Sequence, residues 1–247
     1  MPGVCYFMDQ KTDKGILYGV GVGPGDPELI TLKAARLLHS VARVYAASST
    51  RNSYSVSLDI VRPHLAPGVT PAVLSFPMTR DAAVLDRAWE ENARTVLADL
   101  DAGRDVAFLT LGDPSTYSTF GYLLRTLRDL DPTVRAEVVP GVTSYSAAAA
   151  LAGEPLAEAD QTLAVVSGVC GGDTLRRAAR AADSLVVLKA YKRFGDIKAA
   201  LAEEGLLRDA VLVSACGQEG QNLVRDLSQV EEIPPYFSLV LAKKKRG

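Results

Sequence analysis

The chain has 247 residues, 48% of them hydrophobic and 23% charged, the balance of a soluble globular protein long enough for one large domain or two modest ones. A formal net charge of -2 lacks the basic footprint of a nucleic-acid binder, and the terminal KKKRG reads as a solvated tail. Three widely spaced cysteines (Cys5, Cys170, Cys216) argue against a disulfide framework, and His39 and His64, without ligand-spaced partners, argue against a zinc site or a histidine-based triad.

No apolar run approaches the ~18 residues of a membrane span, and the polar MDQKTDK segment is unlike a secretory signal. Residues 1–14 are therefore expected to form a flexible extension of a cytoplasmic protein. GILYGVGV then reads as a first buried strand, followed by the helical spacing of Leu32, Ala35, Leu38 and Ala42 and the short strand RVYAAS. Asp81 to Leu100 gives the strongest helical pattern, with Leu85, Trp89, Val96 and Leu100 on one stripe and Gly103 as its stop. DVAFLTLG is a central strand, GYLLRTLRDL a helix, AEVVPG a strand, and SYSAAAALAG a small-residue helix suited to close packing. After a polar stretch from Gly153 to Asp160 the alternation resumes with TLAVVSG, DTLRRAARAA, SLVVLKAY, DIKAALAEEG, AVLVSACG and FSLVLAKK. Strands alternating with helices predict an α/β protein with largely parallel sheets, divided into domains at 15–154 and 155–247.

Three glycine/proline loops each follow an apolar strand: Gly21–Pro27, Leu111–Ser118 and Val139–Ser144. In a parallel sheet they would leave the carboxyl edge, where α/β proteins bind ligands. The Walker sequence Gly-Lys-Ser/Thr is missing, and G-x-G-x-x-G fails in every register, since Pro24, Asp26 or Glu28 takes the final position. None of the three loops contains Lys or Arg, whereas two contain Asp26 and Asp113. Such a rim serves a pyrophosphate poorly and a hydroxyl-bearing, cationic ligand better, unless the two carboxylates simply cap local turns.

GVGPGDPELITLKAARLL, the GDP loop at Gly112–Pro114 and VPGVTS together resemble the tetrapyrrole methylase family, the class III S-adenosylmethionine-dependent methyltransferases, in order and spacing from Gly15 to Lys244. SFPMTRD, AWEENA and FLTLGDPSTYSTF are similar to the branch that methylates the C-20 meso carbon of precorrin-2 or cobalt-factor II in cobalamin biosynthesis. Ser118, where most relatives have glycine, and Ala190, where many have methionine, fit that branch.

The resemblance implies two α/β domains with mostly parallel, mixed sheets, a cofactor cleft between them, and a homodimer. It implies S-adenosylmethionine contacts from Pro24, Leu111, Gly112, Asp113, Thr116, Thr143 and Ser144, with Ala190 and Tyr191 on the adenine side and Ala215, Cys216 and Gly217 closing the pocket. A substrate rimmed by acetate and propionate groups calls for cations, for which Arg51, Arg80, Lys189, Lys192 and Arg193 are candidates, although each also reads as a solvated surface charge. Tyr117 is placed to stack on the macrocycle or donate a hydrogen bond, and is the one catalytic candidate near the reacting carbon, or else is a locally satisfied core tyrosine. Phe76 and Met78 either line an apolar ring site or pack in the core.

An electron-rich ring carbon attacking a sulfonium needs positioning and exclusion of water more than acid–base help, which suits a chain with two histidines and no evident nucleophile. No base for the final proton loss is assigned, and no metal site is expected. The alternatives are a family member acting on another ring carbon or substrate, and a non-catalytic nucleotide-binding module.

Overall fold

The structure is a computed structural model that describes residues 14–49, 55–77, 79 and 81–244. Apart from Lys14, the expected N-terminal extension lies outside the described residues, as do Cys5 and the basic terminus from residue 245.

By internal contacts the chain divides into two units, neither continuous in sequence. The first runs up to Gly21 and includes Leu32–Thr110 and Pro114–Pro140; the second takes Val22–Thr31, Leu111–Asp113 and Gly141–Gly247.

The first unit is built on a fully parallel sheet. Its strands are β1 (Leu17–Gly21), β2 (Arg43–Ser49), β3 (Ala72–Phe76), β4 (Val106–Thr110) and β5 (Ala136–Val139), in the order β3-β2-β4-β1-β5. β4 is buried along its whole length, which is why VAFLT is continuously apolar before its final Thr and does not alternate. α1 (Leu32–Leu38), α2 (Val56–Val61), α3 (Ala82–Asp101) and α4 (Phe120–Leu130) supply the connections. Asp81 starts α3 by accepting from the amides of Ala83 and Val84 at 3.0 and 3.3 Å, and the Gly103 amide donates to Leu100 as the helix ends. On the predicted α3 stripe, Val96 and Leu100 are buried, while Leu85 and Trp89 are half-buried. Gly19 owes its place in β1 to packing: a Cβ there would lie 2.6 Å from the Phe120 ring.

Among the described residues, one charged group is buried inside this unit. Asp99 on α3 accepts from the Tyr45 hydroxyl at 2.6 Å and from Arg104 Nε at 2.8 Å, with Arg43 Nε 3.5 Å away. Burial opposes ionisation of Asp99, but those hydrogen bonds and the two guanidinium charges prevail and hold its carboxyl below the usual carboxylate range. Burial and then the bond to Asp99 push the Tyr45 phenol up to about 12.

The second unit is built on a mixed sheet. Its strands are β6 (Leu163–Ser167), β7 (Ser184–Leu188), β8 (Val211–Ser214), β9 (Asn222–Arg225) and β10 (Ser238–Lys243), in the order β6-β7-β10-β8-β9. Only β6 and β7 pair in parallel; β10 runs antiparallel to both β7 and β8, and β9 runs antiparallel to β8. α5 (Ser144–Ala152) begins at Thr143, whose hydroxyl oxygen accepts from the Ser146 amide at 3.3 Å, and ends at Gly153 in the left-handed region. Its Ala148, Ala149 and Ala152 are buried in one cluster with Val211, Val213, Leu239 and Leu241, so the alanine run serves close packing. α6 (Gly172–Ala181) and α7 (Phe194–Glu203) contribute Leu175, Ala179, Ile197 and Leu201 to the other cluster of this unit.

Each strand and helix read from the hydrophobic pattern is present. Three elements escape that reading. β3 is a five-residue edge strand between two prolines, β9 a four-residue edge strand, and α2 a six-residue helix; all are too short for a clear period.

Candidate active site

The order β4-β1-β5 places three parallel strand ends side by side, and the three glycine/proline loops continue from these ends. The first two loops pair with each other: the Gly112 amide donates to the Gly23 carbonyl at 2.7 Å, and the Gly23 amide donates to the Gly112 carbonyl at 3.3 Å. Asp113 ties the second loop to the third by accepting from the Gly141 amide at 3.0 Å. Gly112 also lies close to the third loop, since a Cβ there would stand 3.9 Å from the Ser144 nitrogen. Asp26 does what its cap reading predicts: it accepts from the Glu28 amide at 2.9 Å and opens a 3-10 turn with Pro27 in its first position.

Within the second unit the first loop meets the turn that follows β8. A Cβ on Gly25 would lie 2.7 Å from the Cys216 carbonyl oxygen and 2.8 Å from the Gly217 carbonyl carbon; one on Gly217 would lie 2.7 Å from the Asp26 nitrogen. The two backbones are therefore in direct contact, at positions where no side chain fits. Gly217 also has φ +71, and Ala215 holds φ +49, an uncommon left-handed conformation outside glycine.

The turns after β7 and β8 hang from one short segment. The Ala190 amide donates to the Ser238 carbonyl at 2.9 Å, the Ala215 amide donates to the Phe237 carbonyl at 2.8 Å, and the Ser214 and Ser238 hydroxyls share a 2.7 Å bond. Ala190 is fully buried. Tyr191 meets Tyr236 at 4.9 Å between ring centroids, and the Lys192 ammonium stands 5.3 Å from the Tyr191 ring. Lys189, with φ +56, is exposed beside them, and Arg193 pairs with Asp196 at 3.6 Å. Burial pushes the Cys216 thiol up, so it stays protonated near neutral pH and makes a poor nucleophile.

The second unit thus holds Pro24, Leu111, Gly112, Asp113, Thr143, Ser144, Ala190, Tyr191, Ala215, Cys216 and Gly217 of the cofactor candidates, with Lys189 and Lys192 of the substrate candidates. Thr116, Tyr117 and Phe76 belong to the first unit. Tyr117 is exposed with φ +49. The Phe76 ring is buried in the core, 4.3 Å from Trp89 and 6.3 Å from Phe108 between centroids, the packing role offered as its alternative. Arg51, Met78 and Arg80 lie outside the described residues. Within the loop Gly21–Pro27 the sequence does not single out Gly25, and it gives no sign of Gln218 or Ser238. Their partners at the site are respectively about 190, 190 and 25–50 residues away in sequence, so no local pattern marks them.

Among the described residues no cluster of His, Cys, Asp and Glu is suited to a metal ion, and no helix is long and apolar enough to cross a membrane.

The two units are α/β, and their glycine/proline loops continue from parallel strand ends without a Walker or G-x-G-x-x-G sequence. The chain belongs to the tetrapyrrole (corrin/porphyrin) methylase family, whose model matches residues 16–231. It is 40% identical over 233 residues to the cobalt-precorrin-2 C(20)-methyltransferase of Salmonella typhimurium, covering 94% of this chain and 97% of the relative. It is 34% identical to the precorrin-2 C(20)-methyltransferase of Sinorhizobium sp., covering 92% and 94%. Among solved structures it resembles the uroporphyrin-III C-methyl transferase of Thermus thermophilus complexed with S-adenyl homocysteine, with a TM-score of 0.66, 31% identity and coverage of 92% and 97%.

Proposed function

We propose that this chain transfers a methyl group from S-adenosylmethionine to the C-20 meso carbon of precorrin-2 or its cobalt form, in cobalamin biosynthesis. The observation that carries this reading is the near-complete, two-way coverage of the C(20)-methyltransferase relative at 40% identity. The loop chemistry supports the methyl donor: no lysine or arginine lies in the three loops, while backbone carbonyls, Asp113 and the hydroxyls of Thr143 and Ser144 are gathered there. Such an acceptor-rich rim without cations suits a sulfonium and ribose hydroxyls better than a phosphate.

When bound, S-adenosylmethionine supplies the activated methyl group. The protein's part is positional. Pro24 lies against the donor from the first loop, Leu111, Gly112 and Asp113 line its methionine and ribose portions, and Thr116 is near the sulfonium, with Thr143 and Ser144 as further contacts. Ala190, Tyr191, Ala215, Cys216 and Gly217 hold the adenine, largely through backbone groups. Fixed turns suit this work, because a loop ordered before binding loses less entropy on closing over its ligand. Lys189, Lys192, Arg51 and Arg80 pair with carboxylates of the macrocycle, and Tyr117 and Met78 are its apolar contacts; Phe76, buried in the core, is not among them. Residues 15–154 and 155–247 are the proposed domains. The protein is read as a homodimer on family resemblance. It is read as cytoplasmic from its free cysteines, Cys170 and Cys216. No nucleic acid or membrane is a partner in this reading.

Incubating the purified protein with precorrin-2 or its cobalt form and carbon-13-labelled methyl donor tests the reading. Label at C-20 is expected; label on another carbon favours a different methylase specificity, and no transfer to either substrate rejects the reading.

A further inference from the structure

The backbone contact between the first loop and the turn after β8 is fastened by a side chain. Gln218 Nε2 donates to the Pro24 carbonyl at 2.9 Å, across 194 positions of sequence, and this bond is partly buried. Its aliphatic stem takes part too, since a Cβ on Gly25 would lie 2.5 Å from Gln218 Cγ. The turn that carries Gln218 is itself braced: Gln221 Oε1 accepts from the Gly217 amide at 2.7 Å, and the Gln218 amide donates to the Ala215 carbonyl at 2.9 Å. All of these residues lie in the second unit.

We infer that Gln218 is a positioning residue for the methyl-donor pocket, a clamp that locks the Pro24 carbonyl and the Gly23–Gly25 backbone against the Ala215–Gly217 turn. The inference rests on the proposed cofactor site, because both clamped segments are walls of it. Pro24 has no amide hydrogen to donate, so its carbonyl is its one backbone hydrogen-bonding group. Gln218 takes that group and fixes how the peptide between Pro24 and Gly25 is turned. Without the clamp the glycine loop gains freedom that ligand binding must remove. The cost therefore falls on affinity for the donor, not on the chemical step.

Gln218→Met and Gln218→Glu keep the length of the side chain and remove the Nε2–H donor. Three measurements apply to each full-length variant: calorimetric affinity for S-adenosylhomocysteine, the KM and kcat of methyl transfer, and amide hydrogen exchange across the second unit. Loss of one net hydrogen bond corresponds to roughly a threefold to tenfold change in affinity. Both variants should lose that much affinity and show a matching rise in KM for the donor. The expected change in kcat is under about twofold, with faster exchange confined to 22–31 and the 215–218 turn. Unchanged affinity in either variant overturns the clamp while leaving the cofactor site standing. Faster exchange throughout the second unit with a general loss of stability assigns Gln218 a purely structural role and also overturns it. Failure of the unmodified chain to bind S-adenosylhomocysteine rejects the cofactor site itself.

Discussion

The two units solve different problems with the same α/β vocabulary. The first is a parallel sheet whose interior is filled by large rings, with Phe76, Phe108 and Phe120 in one cluster around the wholly buried β4. It also encloses Asp99, the one buried charged residue among the described residues. The second unit has a mixed sheet and an aliphatic and alanine-rich interior, and its buried polar side chains among the described residues are Ser184, Ser214 and Ser238. Its distinctive features are at the backbone: left-handed Lys189 and Ala215, and a glycine loop pressed against a glycine turn. Side-chain substitutions should therefore cost the first region stability, and backbone-crowding substitutions should cost the second region its ligand.

Phe76→Ala should give the largest effect. Removing a buried ring that touches Trp89 and Phe108 costs about 4 kcal/mol of unfolding free energy, readable in denaturant titration. An unchanged midpoint would move Phe76 from the core to a ring-binding surface and blur the contrast. Gly25→Val comes next, with the opposite signature. Its Cβ meets the Cys216 and Gly217 backbone, which cannot swing aside, and overpacking of about 3 kcal/mol corresponds to roughly a hundredfold loss of affinity for S-adenosylhomocysteine. The unfolding of the first unit should be untouched, and a stability loss there would break the comparison.

Asp99→Ala is expected to cost about 2 kcal/mol, since it strands the Tyr45 hydroxyl while Arg43 and Arg104 keep partial access to water. The smallest effect is in the pH profile. Because the folded Asp99 carboxyl lies below its unfolded value, its contribution is complete above about pH 4 and disappears as pH falls through the folded value. Asp131, held at about 2 mainly by hydrogen bonds from Lys14 and Thr133, acts in the same direction. Tyr45 runs the other way: its contribution is whole below about pH 10 and is lost as pH rises through about 12. Unfolding followed by tryptophan fluorescence of Trp89, the only tryptophan and part of the first unit, should show both limbs. Asp99→Ala should flatten both, and an unaltered profile would remove Asp99 from the account.

The sequence itself determined the alternation of strands and helices, because apolar periodicity and punctuating glycines are local properties of a chain. It also shows that the loops carry neither a Walker nor a G-x-G-x-x-G sequence, since lysine is missing and the glycine registers fail at Pro24, Asp26 and Glu28. For Asp26 the sequence left a ligand contact and a cap both open, and the structure shows the cap. Tertiary structure alone decided that Phe76 is core, that Gly19 makes room for Phe120, and that β10 enters between β7 and β8 against their direction. It alone brought Gln218 to the Pro24 carbonyl. Pairing and packing join residues far apart in the chain, and no local period records which distant backbone a side chain will meet.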